Sequence, residues 1–202
     1  MSIPERMRAP LKLVPPVTGD AELTDSALWA GVASGNGEVA SVLYARLVPT
    51  ILKSLYRVLG HRPTDCDDLV QLSFERIVRT LIDGTYDGSS PLRAWASLLA
   101  SRVGLDALRK RYRERALFSP EVEGVEAGPE RAIQARSELL LVRRALATMA
   151  PDRAEAVFMH DALGYELSEI ALQCGISVAA AQSRLVRGRK QLLKWLRANG
   201  ED

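Results

Sequence analysis

The sequence predicts an all-α fold made of two small helical domains that are joined by a flexible linker. Apolar residues recur at helical spacing through most of the chain from residue 24 to 196, and no segment alternates as a strand does. Residues 116–132 are rich in Gly, Pro and Glu and separate two such helical blocks. With 202 residues, 47% of them hydrophobic, the chain is long enough for two small cores.

The composition excludes several classes of function. Cys66 and Cys174 lie far apart and indicate a reducing compartment without a disulfide framework. The only histidines, His61 and His160, show no metal-ligand spacing, so we expect neither a metal site nor another cofactor. No apolar window is long enough to span a membrane, which predicts a cytoplasmic protein. The net charge is only +2, so a polyanion such as a nucleic acid would have to bind at local basic segments.

The predicted first domain, residues 21–115, follows a proline-rich lead, residues 1–20, that we expect to be flexible. Four helices are predicted from capping residues, turn glycines and apolar periodicity. They run from Thr24 or Asp25 to Ser34, from Glu38 to Leu59, from Thr64 or Asp65 to about Leu81, and from Leu92 to about Arg115. The turn-rich segment IDGTYDGSSP forms the loop between the last two.

The predicted second domain, residues 133–198, begins with helices from Ile133 to Met149 and from Asp152 to about Gly164. A helix, a turn and a second helix follow in YELSEIALQCGISVAAAQSRLVRGRKQLLKW. Gly175 ends the first of these two helices, and the hydroxyl of Ser177 is placed to cap the second. Small Ala171 allows the two helices to cross closely.

The second helix of this pair has a basic outer face, with no acidic residue between Ala180 and Ala198. Such a surface suits phosphates and the edges of bases in a major groove. The alternative is an ordinary helical hairpin whose basic face is only solvated.

Three segments in this order resemble the two conserved regions of the extracytoplasmic-function sigma factors, the small members of the bacterial sigma-70 family. They are DCDDLVQLSFERI, PLRAWASLLASRVGLDALRKR and MAPDRAEAVFMHDALGYELSEIALQCGISVAAAQSRLVRGRKQL. The resemblance implies a region 2-like first domain and a region 4-like second domain. It further implies a protein that is not an enzyme, and that binds core RNA polymerase, directs initiation at specific promoters and assists promoter melting.

In the family, the third helix docks on a coiled coil of the largest polymerase subunit. The resemblance assigns this role to Asp67, Asp68, Leu69, Gln71, Phe74, Glu75 and Arg76. An acidic and amide-bearing face beside an exposed apolar side chain makes a reasonable binding hot spot. Leu69 and Phe74 also fit a core position, and Phe74 fits it better.

The following loop and helix resemble the segment that captures the melted minus-ten strand. Strand opening needs a cationic groove and a platform or pocket for an unstacked base. The matching residues are Tyr86, Ser89, Arg93, Arg102, Arg109, Lys110, Arg111 and Arg113. Trp95 fits the core better than a stacking platform. Arg102 stands where the family usually has asparagine, so charge is expected to replace a specific hydrogen bond there.

The second helix of the hairpin resembles the recognition helix that reads the minus-thirty-five element. Its matching residues are Ser177, Gln182, Ser183, Arg184, Val186, Arg187 and Lys190. Gln182 suits an adenine edge and Val186 a thymine methyl. Ala180, Ala181 and Gln182 stand where the family more usually has threonine, valine and lysine or arginine, and Glu166 replaces the usual serine cap. The promoter sequence of relatives therefore does not transfer.

The resemblance also implies an anti-sigma protein as a partner. A competing interpretation is a free-standing helix-turn-helix regulator, which leaves the segment from Asp65 to Arg111 without a role. A small enzyme is a third interpretation, but neither histidine has a nucleophile or metal partner that the sequence reveals.

Overall fold

The computed structural model describes residues 23–61, 63–118 and 130–200, with side chains described for 23–61, 63–115 and 137–200. The predicted lead, residues 1–20, and residues 119–129 of the predicted linker lie outside this part. Within it, every regular element is a helix and no strand occurs, which confirms the all-α prediction. None of its helices combines the length and the apolar character that a membrane crossing requires.

The described residues contain eight α-helices, which form two successive halves. The first half contains α1 (Asp25–Ala33), α2 (Gly37–Leu59), α3 (Cys66–Ile82) and α4 (Leu92–Phe118). The second contains α5 (Glu130–Thr148), α6 (Pro151–Val157), α7 (Leu167–Cys174) and α8 (Val178–Asn199), and a π-helical turn, Phe158–Ala162, extends α6. The helices α4 and α5 extend into both ends of the segment predicted as a linker.

Local signals define most of the helix ends. The Thr24 hydroxyl accepts a hydrogen bond from the Ala27 amide at 3.2 Å, and the Asn36 carboxamide oxygen accepts one from the Glu38 amide at 3.0 Å. Gly60 ends α2 with φ of +84°, a conformation that favours glycine. Asp65 precedes α3 without capping it, because its carboxylate pairs with Arg111 of α4.

The first half has a core in which α2 and α4 form the most extensive helix pair. Leu47 of α2, Ile77 of α3 and Val103 of α4 are almost fully buried there. Gly104 allows the close approach of α4 to α2, since a Cβ at this position would lie 3.0 Å from the Cβ of Val58. The apolar faces predicted from helical periodicity are therefore the faces that pack.

The core of the first half continues into the second half. Leu146 of α5, Phe158 after α6 and Leu185 of α8 belong to the same buried cluster as the helices of the first half. A smaller cluster joins Leu98 of α4 to Ile170 of α7. The two halves therefore pack against each other and do not stand apart as separate bodies.

Candidate nucleic-acid interface

The helix-turn-helix is built as its sequence predicts. The backbone amide of Glu166 donates to the Glu169 carboxylate at 2.7 Å, so the Glu169 side chain supports the start of α7. Gly175 ends α7 with φ of +63°. The Ser177 hydroxyl then accepts from the Ala180 amide at 3.2 Å and caps α8. Ala171 is buried at the helix contact.

The outer face of α8 carries Gln182, Val186, Arg187 and Lys190, all exposed to solvent. The side chain of Val186 is 57% exposed although it is apolar. Residues 182, 186 and 190 follow one another at four-residue spacing and so lie along one side of the helix. The stripe thus carries an exposed amide, an exposed aliphatic group and the cation Lys190, with the exposed cation Arg187 beside it. The amide and the aliphatic group suit base edges, and the cations suit phosphates.

Other predicted residues of α8 are used inside the fold. Arg184 pairs with Asp152 of α6 at 3.5 Å and is directed towards its own domain. Ser183 is half-buried, and the Ser177 hydroxyl is occupied by capping. Arg189, which was not among the predicted contacts, donates from Nε to Asp161 at 3.0 Å. The sequence pattern shows a basic helix, whereas the structure separates its outward residues from its paired ones.

The outer face of α3 is acidic and polar, with Asp68, Gln71 and Glu75 exposed. Leu72 lies among them and is 39% exposed, which makes it the apolar centre of this face. It was absent from the predicted set because helical periodicity alone placed it with the core residues. Exposed apolar groups ringed by polar ones are typical of protein interaction sites.

Three other predicted residues of α3 have structural contacts. Leu69 and Phe74 are buried, and the ring of Phe74 packs edge to face on Tyr44 with centroids 4.9 Å apart. Arg76 pairs with Asp106 of α4 at 3.3 Å. Asp67 is exposed near the start of the helix, beside Asp68. The acidic residues thus remain accessible, whereas the two apolar ones contribute to the core.

The loop before α4 is organised around Tyr86. Its hydroxyl donates to the Ser90 carbonyl at 2.6 Å, and its ring lies 4.7 Å from that of Trp95, centroid to centroid. Burial, together with the charge of Asp25, raises the pKa of the Tyr86 phenol. Ser89 donates its amide to the Asp87 carboxylate at 2.9 Å. Tyr86 thus shapes the loop and offers no exposed ring, and Trp95 is buried as predicted.

Arg93 lines a cleft of about 290 Å³ between the two halves. Lys53 and Arg57 of α2 line the same cleft, together with hydroxyl groups that include Thr50 and Tyr165. No acidic side chain is among the lining residues of this described cleft. Lys53 and Arg57 were not predicted as site residues, because only the fold brings α2 beside the start of α4.

The cations near the end of α4 differ in availability. Arg109 pairs with Asp106 at 3.0 Å and also donates to the Pro151 carbonyl at 3.3 Å, and Arg111 pairs with Asp65. Lys110 is 73% exposed, with Glu114 at 3.9 Å as a loose partner. Arg113 is exposed, and the hydrogen bond it makes among the described residues is to the backbone of its own helix. Lys110 and Arg113 are therefore the cations best placed for a phosphate backbone.

Arg102 points from α4 into the second half. It pairs with Glu155 of α6, and its guanidinium lies 3.4 Å from both the Gln173 carbonyl oxygen and the Cys174 Sγ. Burial on its own lowers the pKa of Arg102, but the charge and hydrogen bond of Glu155 outweigh it and the pKa lies above its ordinary value. The arginine that departs from the family pattern is thus neutralised within the chain in this arrangement.

Comparisons with known proteins agree with the two predicted regions. The family models for Sigma-70 region 2 and for Sigma-70, region 4 match residues 43–114 and 139–192. The RNA polymerase sigma factor CnrH of Cupriavidus metallidurans is 32% identical over 194 residues, which are 89% of this chain and 98% of that protein. The ECF RNA polymerase sigma factor SigE of Mycolicibacterium smegmatis is 26% identical over 187 residues, 87% of this chain and 70% of that protein.

A solved structure of CnrH in complex with the cytosolic domain of CnrY is also similar. It is 30% identical, covers 85% of this chain and 96% of that one, and superposes with a TM-score of 0.50. The two family regions occur in order and on the helices that carry the predicted polymerase and promoter faces. The chain therefore belongs to the extracytoplasmic-function sigma factors of the sigma-70 family.

Proposed function

We propose that α8 reads the minus-thirty-five element and that α4 with its preceding loop holds the minus-ten strand, while α3 binds core RNA polymerase. The observation that carries the proposal is the acid-free outer face of α8, in which exposed Gln182 and Val186 are followed by the exposed cations Arg187 and Lys190 on a capped helix-turn-helix. We assign residues 21–115 to the first functional region and residues 133–198 to the second.

The proposed minus-ten surface combines a cationic cleft with the exposed cations of α4. Lys53, Arg57 and Arg93 surround the cleft, and Lys110 and Arg113 lie exposed near the end of α4. A freed strand is held chiefly through its phosphates, so a row of accessible cations is the feature it needs most. The buried Tyr86 supports this surface by holding the loop.

The proposed polymerase surface is the outer face of α3, centred on Leu72 and bounded by Asp68 and Glu75. A partner with a basic rim and a small apolar pocket would complement it. We further propose that the protein acts in the cytoplasm, where bacterial RNA polymerase works, and that an anti-sigma protein regulates it. The complex of the similar CnrH with the cytosolic domain of CnrY supports a protein partner.

The test is transcription from a random promoter library by purified bacterial core polymerase, with and without this protein. We expect specific initiation and two enriched sequence blocks upstream of the start sites. The double variant Arg187→Ala and Lys190→Ala is the matched control. It should still bind polymerase but no longer enrich the block near minus thirty-five. Duplex binding without stimulation of polymerase would instead support the free-standing regulator.

A further inference from the structure

We propose that Asp161 sets the DNA affinity of α8 by holding Arg189 away from the phosphate backbone. The inference rests on the proposed function of α8 as the helix that binds promoter duplex. The carboxylate lowers sequence-independent binding and leaves the residues proposed to read bases untouched. Asp161 is thus a positioning residue that acts through Arg189.

Arg189 lies on the same side of α8 as the residues proposed to read bases. It follows Gln182 by seven residues and Val186 by three. At about 100° per residue, Arg189 is about 20° from Gln182 around the helix. Its side chain is 48% exposed. A free guanidinium at this place would meet DNA phosphates together with Lys190, the exposed cation that follows it.

The guanidinium of Arg189 is instead engaged by the chain. Its Nε donates to Asp161 Oδ2 at 3.0 Å, and its Nη2 pairs with Oδ1 of the same carboxylate. Two parallel hydrogen bonds of this kind fix the orientation of an arginine as well as its position. The pair has no net charge, so it attracts a phosphate far less than a free arginine would.

A local irregularity of the backbone places Asp161 beside α8. In the π-helical turn Phe158–Ala162, the amide of Leu163 donates to the carbonyl of Phe158, five residues earlier, at 3.1 Å. A regular α-helix would put residue 161 about 180° round from Asp152, because nine residues turn the helix by about 900°. Both carboxylates nevertheless pair with arginines of α8. The widened turn therefore redirects Asp161 towards α8, and turns of this kind are frequent at functional sites.

The effect of this pair on DNA binding outweighs its effect on stability. Asp161 is 36% exposed, and an ion pair this accessible to water contributes little to the free energy of unfolding. A contact with a phosphate, by contrast, releases a counterion and strengthens binding markedly. Phosphates carry no sequence information, so a free Arg189 would also hold the protein on the many random sites of a genome. The pair keeps this sequence-independent binding weak.

The test is the variant Asp161→Asn in the full chain, which removes the charge and keeps the size of the side chain. The matched control is Asp152→Asn, which changes the net charge equally and releases Arg184. Arg184 lies about 160° from Gln182 around α8, on the side that faces α6. The release of Arg189 is therefore particular to Asp161→Asn. Circular dichroism and thermal unfolding establish that each variant is folded.

Binding to a fluorescent random-sequence duplex is measured by anisotropy over a range of salt concentrations. We expect Asp161→Asn to bind about fivefold to tenfold more tightly near 0.1 M salt, and its log affinity to fall more steeply with log salt, by about 0.9. Asp152→Asn should stay close to wild type. Adding Arg189→Gln to Asp161→Asn should restore the wild-type affinity and slope, because the released cation is then absent.

Unchanged or weaker binding by Asp161→Asn would overturn the proposal, and weaker binding would show that the carboxylate holds Arg189 in a productive position. An equal increase in Asp152→Asn would also overturn it, because the effect would then be one of net charge. An increase that persists after Arg189→Gln would do the same, since the effect would not act through this arginine.

The double variant Arg187→Ala and Lys190→Ala separates this inference from the proposed function. If the double variant loses duplex binding while Asp161→Asn matches wild type, this inference fails and the proposed role of α8 stands. If the double variant binds duplex as tightly as wild type, α8 is not the helix that binds DNA. The proposed function of α8 then fails, and this inference fails with it.

Discussion

The guanidinium of Arg102 on α4 forms an ion pair with the carboxylate of Glu155 on α6, and the pair joins the two halves of the chain. The two side chains are 30% and 19% exposed, so water only partly screens them. The family resemblance leads one to expect asparagine at residue 102, whose contact would be to DNA. In this chain the charge of Arg102 is instead balanced by Glu155, so the arginine at this position has a structural role.

A double-mutant cycle on this pair should show coupling. We expect Arg102→Met and Glu155→Gln each to lower the free energy of unfolding by about 1 to 3 kcal/mol, because each leaves a partly buried charge without its partner. The double variant should lose less than the sum of the single losses. Urea unfolding measures these values, and losses that add within about 0.5 kcal/mol would show that the pair is not coupled.

The proposed polymerase surface predicts different effects for two neighbouring apolar residues of α3. Leu72→Ala should weaken binding to core polymerase by about tenfold or more and change the free energy of unfolding by less than about 0.5 kcal/mol, because Leu72 is exposed. Binding is measured by competition for core polymerase, and stability by urea unfolding.

Phe74→Ala is the control for that experiment. Because Phe74 is buried against Tyr44, we expect a loss of about 3 to 5 kcal/mol in the free energy of unfolding. Unchanged polymerase binding by a folded Leu72→Ala would argue against a surface role for Leu72.

The helical elements and most of the α8 face could be predicted from local sequence. Apolar periodicity, the turn glycine at 175 and the capping serine at 177 are properties of neighbouring residues, and the structure retains each of them. The partners of cations are not local. The sequence pattern places Arg102 and Arg109 on a basic face of α4. In the structure Arg102 pairs with Glu155 and Arg109 donates to the Pro151 carbonyl, each more than forty residues away.

Local sequence patterns also could not predict the exposure of Leu72 or the cationic cleft beside Arg93. A leucine in a helical pattern is assigned to the core unless the width of the buried face is known, and that width depends on how α3 packs against α2 and α4. Lys53 and Arg57 lie on α2, and they line the same cleft as Arg93 only because α2 packs beside α4. Tertiary packing, not propensity, therefore decides which residues of each pattern are available to a partner.

Base readout by α8 predicts different outcomes for its amide and its cations. Gln182→Ala should reduce the preference for one base pair of the upstream element by about 1 to 3 kcal/mol, because the exposed amide is placed for a base edge. Lys190→Ala should instead weaken binding to all sequences and reduce its salt dependence. Binding to a panel of promoter variants distinguishes these cases, and a uniform loss for Gln182→Ala would contradict base readout.

Close packing of α8 on α6 makes Gly188 intolerant of a side chain. A Cβ there would lie 2.6 Å from Val157 Cγ2 and 2.9 Å from the Arg153 carbonyl oxygen. We expect Gly188→Ala to lower the unfolding temperature, with a loss of about 1 to 3 kcal/mol, since backbone has to move. Gly37→Ala is the control, because a Cβ at Gly37 meets nothing within 4 Å. An equally mild effect of both changes would contradict this packing.

Cys174 offers a chemical probe of the junction between the halves. Burial, and next the charge of Glu155, raise the pKa of its thiol above the ordinary value. The folded chain therefore holds this proton more tightly than the unfolded chain does. It follows that this group contributes stability below the ordinary thiol pKa and loses it as pH rises through the folded pKa.

Because the thiolate is the reactive form, alkylation of Cys174 near pH 8 should be slow in the folded protein and fast in urea. Glu155→Gln removes a charge that raises the pKa and also weakens the contact with Arg102, so it should accelerate alkylation. Mass spectrometry of the peptide that contains Cys174 gives the rate, and the peptide with buried Cys66 serves as the internal reference. Equal rates at Cys174 in the folded and the urea-unfolded wild type would show that the junction does not cover this thiol.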